Sequence, residues 1–322
     1  MTDKQSTHQE ILNARIDFHQ DKEAREMFMH LIKKTDDGSM SVMPSKQYHE
    51  TDTYEFNGKK CPLLSRSVIK AIDANAEQWA CGRKFMRKRT MDMGSLLDAA
   101  MLETLALHDF VFMDESIQNF QTKAARAIRD IAYEEGKMPI LYKDQEVLLG
   151  TLAKTKSSKE CQAMLKGATS CVAIFSMLEH AGFKALIDIV PSPSSKYGNG
   201  LCDLKRTSGF LPDKFRRIVL QMKYHWQAAV YLDLWNNWCI LTGHPEHQRN
   251  KWYFLLVQDD YPYGVGVAEL DEELIKEGRE QYKSAIKKAR FCLETGIYPN
   301  PYEGDHIVKI GFHKKTTIKK SP

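Results

Sequence analysis

The sequence runs to 322 residues, 43% apolar and 27% charged, with a formal net charge of +4. That is ordinary for a globular protein of one large domain or two modest ones, and too weakly basic to diagnose nucleic-acid binding from charge alone. No apolar run is long enough to span a bilayer and Met1 to Glu26 is polar throughout, so neither a membrane span nor a signal peptide is expected, and the cytoplasm is the expected compartment.

Residues 1–60 read as an appendage. Gln9 to Lys34 has helical apolar spacing (Ile11, Ile16, Met27, Phe28, Leu31) and stops before Asp36-Asp37-Gly38; a polar stretch without clear structure follows. A packing helix or an oligomer arm is the expected role. The segment Leu64-Ser65-Arg66-Ser67 opens a helix, with Ser65 or Ser67 as N-cap. A helix N-terminus also accommodates phosphate, so both serines are candidate DNA-backbone contacts. Arg83, Lys84, Arg87, Lys88 and Arg89 crowd into one short run, which is either a solvated face or a set of phosphate contacts.

The helix Met93 to Glu103 is apolar apart from Asp98. Aspartate has poor propensity in a helix interior and is costly to bury alone, so Asp98 faces solvent or serves a site. Gln121 to Gly136 and Lys143 to Leu165 read as helices of core and cover. Cys171 to Phe175, Phe183 to Val190 and Leu201 to Leu204 read as strands, and Lys214 to Trp238 as one long helix after Pro212. Two further strands, Lys251 to Val257 and Gly264 to Leu270, precede a charged amphipathic helix from Asp271 to Thr295. The order implies a mixed α/β fold, a central mixed sheet flanked by helices, occupying residues 61–302. Residues 303–322 form a basic tail with Lys309, Lys314, Lys315, Lys319 and Lys320. The seven cysteines are odd in number and contain no C-x-x-C pair, which argues for reduced thiols and against a disulfide framework or a cysteine zinc site.

Chemistry concentrates in the middle strands. Asp188 lies near the end of one apolar run, and Asp203-Leu204-Lys205 ends the next; Asn199-Gly200 between them is a hairpin signal. Residues two apart in a strand share a face, so Asp203 and Lys205 point together, and hairpin pairing brings Asp188 beside Asp203. Two carboxylates and an ammonium suit metal-assisted phosphodiester hydrolysis, with Mg²⁺ or Mn²⁺ on hard oxygen ligands. Alone, so short a motif more often marks a solvated strand face. On the long helix Gln227 and Tyr231 are i and i+4 and share a face, with Lys223 one turn earlier as a candidate phosphate contact.

Together, Asp188, Asp203-Leu204-Lys205 and Gln227-Ala-Ala-Val-Tyr231 resemble the PD-(D/E)xK nuclease superfamily. The chain is most similar to its RecE-type exonuclease (exonuclease VIII) branch and more distantly to lambda exonuclease, over roughly Leu64 to Tyr302. The resemblance implies Asp188, Asp203 and Leu204 as metal ligands, Lys205 as a catalytic cation, Gln227 near the metal or scissile phosphate, and Tyr231 positioning nucleophile or DNA. The family helix reads roughly G-x-x-x-H-x-x-x-L-E; this chain has Asp98 at the histidine's place, a carboxylate still able to ligate a hard metal. The implied activity is digestion of linear double-stranded DNA from a free end, 5′ to 3′, leaving 3′ overhangs for recombination. The implied partners are a single-strand annealing protein and further copies of the chain in a ring-shaped trimer or tetramer. An endonuclease or structure-specific nuclease on the same fold, and a decayed DNA-binding or scaffold protein, are the alternatives.

Overall fold

The computed structural model describes residues 2–14, 22–82, 89–207, 211–258 and 260–300. Seven strands form the main sheet: β1 (Lys33–Thr35), β2 (Gly38–Val42), β3 (Thr169–Leu178), β4 (Ala181–Val190), β5 (Gly200–Thr207), β6 (Lys251–Gln258) and β7 (Val265–Glu269). They lie in chain order across the sheet, all antiparallel to their neighbours except β5 and β6, which are parallel. The helices that matter below are α1 (Lys22–Leu31), α2 (Arg66–Ala74), α3 (Arg89–Met101), α4 (Tyr142–Ser157), α5 (Pro212–Met222), α6 (Tyr224–Leu241) and α7 (Glu272–Thr295). A parallel pair needs a long crossover, and α5 and α6 supply it between β5 and β6. The expected mixed sheet flanked by helices is therefore present.

Period-two alternation sends the side chains of β5 and β6 to two different cores. Leu201, Trp252, Phe254 and Leu256 join Val172, Ile174 and Phe183 beneath α6 and α7. Cys202, Leu204, Tyr253, Leu255 and Val257 face α3 and α4, against Leu96, Leu97, Leu148 and Leu152. Helix α6 is apolar nearly all round, burying Trp226, Val230, Leu234, Trp235 and Trp238, as a helix enclosed between sheet and helix must be. Helix α7 crosses its first turn at backbone contact. A Cβ on Gly278 would stand 2.2 Å from the His225 carbonyl oxygen, so only glycine allows the approach.

Several local expectations are corrected. The helix expected over Gln9 to Lys34 is two, Thr2–Ala14 and α1, and residues 33–42 of the following polar stretch add two strands to the sheet. The helix expected over Lys143 to Leu165 breaks at Ser158, whose hydroxyl caps a new helix by accepting from the Cys161 amide. The long helix expected over Lys214 to Trp238 breaks at Lys223, a left-handed residue with φ 58° that redirects the chain from α5 into α6. Asn199-Gly200 is not the tight turn of a hairpin. Loop 191–199 joins β4 to β5, and Gly200 starts β5, where a Cβ would meet the Tyr253 ring at 2.4 Å. The glycine is there for ring packing, which a turn motif does not distinguish.

Among the described residues no helix is long and apolar enough to cross a membrane.

Candidate active site

The site forms where β4 and β5 part. Ile189 pairs with Cys202 and is the single rung recorded between the two strands. By the same register Asp188 and Asp203 stand opposite each other, one step towards the gap. There the Asp188 side chain stands in for backbone pairing: its Oδ2 accepts from the Leu204 amide at 2.9 Å. The ladder from β3 is disturbed at the same level. Ser170 pairs with Ile189 and Val172 with Ile187, but the pair Cys171–Asp188 is missing, and Cys171 is left-handed with φ 55°. Positive φ on a non-glycine residue inside a strand is strained backbone, and here it adjoins the site.

The next partners come from helices α6 and α2, which share one core on the same side of the sheet. Gln227, in the first turn of α6, donates from Nε2 to Asp203 Oδ1 at 2.5 Å and accepts on Oε1 from Arg66 Nη2 of α2 at 2.9 Å. Asp203 is 1% exposed. Its other oxygen forms an ion pair with Lys205 Nζ, which also reaches the Leu204 carbonyl at 3.3 Å and lies 5.0 Å from the Tyr224 ring centre. The Arg66 guanidinium approaches the same ring at 5.7 Å. Tyr231 is buried one turn beyond Gln227, and Tyr48 from the N-terminal region lies near enough for the two phenols to influence each other.

Three carboxylates against one lysine leave the site short of positive charge. Burial, and then Asp203 and Asp98, push the Asp188 carboxyl well above the ordinary range, against the pull of Lys205 and the Leu204 amide. Asp98 is pushed up to about 7 by crowding among protein atoms, with Asp203 and Glu103 adding and Lys205 opposing. Its side chain keeps contact with water, so the opposing pulls of Lys205 and of the carboxylates Asp203 and Glu103 are partly screened there. Burial pulls the Lys205 ammonium down, but Asp203 and Asp188 outweigh it and hold it above the usual lysine range. Tyr231 is pushed up to about 12, chiefly by burial. Glu103, at the end of the Asp98 segment, is held by Ser45, accepting from its hydroxyl at 2.7 Å.

Asp98, Asp188, Asp203, Leu204, Lys205, Gln227 and Tyr231 thus belong to one neighbourhood. Carboxylates and a backbone carbonyl are the donor set of a hard divalent cation, and such a cation would offset both the burial and the like charge that raise the Asp188 carboxyl. Lys223 points elsewhere, to Gln281 Oε1 at 3.4 Å and to the Trp226 ring at 4.8 Å. Ser65 caps α2 by accepting from the Val68 amide, and Ser67 is exposed on its first turn. Arg83, Lys84, Arg87, Lys88 and the tail lysines lie outside the described residues; Arg89 opens α3, and its side chain is likewise outside them.

Three site residues escaped sequence reasoning. Arg66 sits between the two serines of a segment read for capping, although a buried glutamine carbonyl calls for such a donor. Tyr224 lies one residue beyond Lys223. Tyr48 belongs to a stretch that has no apolar period.

A family model described as a PDDEXK-like domain of unknown function (DUF3799) matches residues 63–307. The fold is similar to the crystal structure of a proposed exonuclease from Eubacterium rectale, with a TM-score of 0.51, 13% sequence identity, and coverage of 84% of this chain and 96% of that one. No curated protein matches the sequence.

Proposed function

We propose, from the premise that this chain belongs to the PDDEXK-like domain family DUF3799, that it is a metal-dependent deoxyribonuclease acting on linear duplex DNA. The observation that carries the reading is the convergence of Asp188, Asp203 and Lys205 at a strand gap, with Gln227 fixing Asp203 and Asp98 facing the same carboxylates. A decayed scaffold has no need of a buried carboxylate, Asp203, with a half-buried carboxylate and ammonium beside it, groups that destabilise a fold unless paired.

Phosphodiester hydrolysis joins a water oxygen to phosphorus and breaks the bond to the leaving sugar oxygen. Mg²⁺ or Mn²⁺ held by Asp188, Asp203 and the Leu204 carbonyl, with Asp98 beside them, would polarise the phosphoryl oxygen and acidify the water. Lys205 stays protonated, so it offsets charge on the crowded phosphorus and orients the water; it is no general base. Gln227, clamped by Arg66, holds the Asp203 carboxylate in one rotamer. Tyr231 remains a phenol at neutral pH and acts by hydrogen bonding alone.

Resemblance to the RecE branch supports attack from a free end in the 5′-to-3′ direction, Mg²⁺ as the working metal, a ring-shaped homo-oligomer, and an annealing protein that takes up the 3′ strand. The test incubates purified protein with 5′- or 3′-labelled linear duplex and with covalently closed circles, with Mg²⁺ or with EDTA. Loss of the linear substrate from its 5′ ends, in Mg²⁺ only, is expected. Cleavage of closed circles would move the protein to the endonucleases. An inert protein on every substrate would overturn the proposal.

A further inference from the structure

Beyond the C-terminus of α6, roughly 27 Å along the helix from its first turn, lies a second cluster of ligand-bearing side chains. His244, Glu246 and His247 surround the short turn Pro245–His247, and one ligand atom from each lies within 4.8 Å of the other two. His244 Nδ1 is 3.0 Å from Glu246 Oε1, and His247 Nε2 is 3.7 Å from the same oxygen. A fourth ring comes from the other end of the chain: His30, in the last turn of α1, has its centre 4.8 Å from that of His244.

We infer that His244, Glu246 and His247 form a binding site for a divalent transition-metal cation of the zinc class, with His30 as the fourth ligand that clips α1 to the body of the protein. Imidazole nitrogens with one carboxylate are a zinc-type donor set, unlike the all-oxygen set at Asp188 and Asp203. Tetrahedral zinc, with bonds of about 2.0–2.2 Å, needs donors roughly 3.3–3.5 Å apart. The two separations to Glu246 bracket that value, while the His30 ring stands outside the trio and has to turn towards it to bind.

The backbone is fixed around the cluster. The His244 amide donates to the Cys239 carbonyl at 2.8 Å, and the His247 carbonyl accepts from Trp235 Nε1 at 2.9 Å. The rings are only 25% and 23% exposed. Arg249 nearby opposes a cation and Glu246 offsets it. The clip has something to hold. Helix α1 already packs Phe28 edge-on to Trp235, and Trp238 Nε1 donates to the Leu31 carbonyl at 2.7 Å. The cysteine spacing that excludes a thiolate zinc site is silent on a histidine one, and H-P-E-H is too short to stand out in a sequence.

The experiment uses full-length protein carrying Asp203→Asn, so that the carboxylate site is silenced, stripped with a chelator and titrated with Zn²⁺ and separately with Co²⁺. One bound equivalent, a rise in melting temperature with Zn²⁺, and the intense visible bands of tetrahedral Co²⁺ are expected. The added pair His244→Ala and His247→Ala should abolish all three. His30→Ala should weaken Zn²⁺ binding about tenfold or more and remove the melting-temperature gain. The same histidine changes in the otherwise native chain should leave Mg²⁺-supported DNA cleavage within about twofold of the parent. No Zn²⁺ uptake, or uptake undiminished in the double variant, overturns the site. Unchanged affinity and melting gain in His30→Ala overturn the clip.

Discussion

Gln227 donates to Asp203 from the helix layer that this carboxylate faces, so a carboxylate in the middle of one strand is aimed by a helix that follows it in the chain. The amide can hold that orientation because Arg66 occupies its carbonyl, which prevents the flip that would present an oxygen to the carboxylate.

Gln227→Ala should therefore lower the single-turnover cleavage rate by about 10–100-fold. Arg66→Ala should cost less, about tenfold, because the amide keeps its place and loses only its bias. Gln227→Glu should be worse than either, setting a second carboxylate against Asp203. Rates within about twofold of wild type for all three would remove Gln227 from the machinery.

Lys205→Ala should lose about a hundredfold or more in rate, the range for a positioned electrostatic group. Lysine is no metal ligand and it neutralises Asp203, so the metal-induced rise in melting temperature should persist or grow in this variant. Loss of that rise would show that Lys205 holds the carboxylates in place and does not act on the phosphate.

The raised carboxyl pKa values make a statement about stability. Asp188 and Asp98 keep their protons in the folded state to higher pH than in the unfolded chain, where an aspartate titrates near about 3.9. The metal-free fold thus binds more protons than the unfolded chain, and stability falls as pH rises from about 4 through about 7. Asp188→Asn should raise the melting temperature of metal-free protein at pH 8 by a few degrees, with the gain vanishing near pH 4. Mg²⁺ should stabilise the wild type at pH 8 and do little for this variant. Equal melting temperatures at pH 8 would contradict the charge repulsion.

Gly278→Ala tests the other end of the same helix turn. Its Cβ would stand 2.2 Å from the His225 carbonyl oxygen and 2.6 Å from the carbonyl carbon, so α7 must retreat from the turn that carries Gln227. A loss of about 1–3 kcal/mol in stability is expected, with a parallel loss of cleavage rate. Denaturant melts and rates measured on one preparation check whether the two move together.

For DNA engagement, neutralising Arg87 and Lys88 together should lower the slope of log K against log salt by about two and weaken binding equally for all sequences. An unchanged slope would make the run a solvated face.

The strands that carry the candidate site were legible in the sequence because a strand period is short. Asp203 and Lys205 share a face by spacing alone, and Asp188 comes opposite Asp203 once β4 and β5 are antiparallel. What pattern reading could not supply were events without a period. The left-handed Lys223 splits one expected helix into two, and nothing in a lysine announces positive φ. Two short strands arise from a polar stretch because β3 offers an open edge, a tertiary cause. Arg66 and Tyr48 reach the site from segments far off in the chain, where local composition explains them well enough as cap and loop.

The single rung between β4 and β5 has a consequence for how the carboxylates are spaced. The sheet is in effect two panels, β1–β4 and β5–β7, with hardly any backbone stitching at the seam. The panels are held in step by the side chains of α6, which rest on Val172 and Ile187 in one panel and on Trp252 and Phe254 in the other. The gap between Asp188 and Asp203 is thus gauged by the volume of an apolar layer, and trimming Val230 or Leu234 would retune the spacing of the two carboxylates without touching a polar atom.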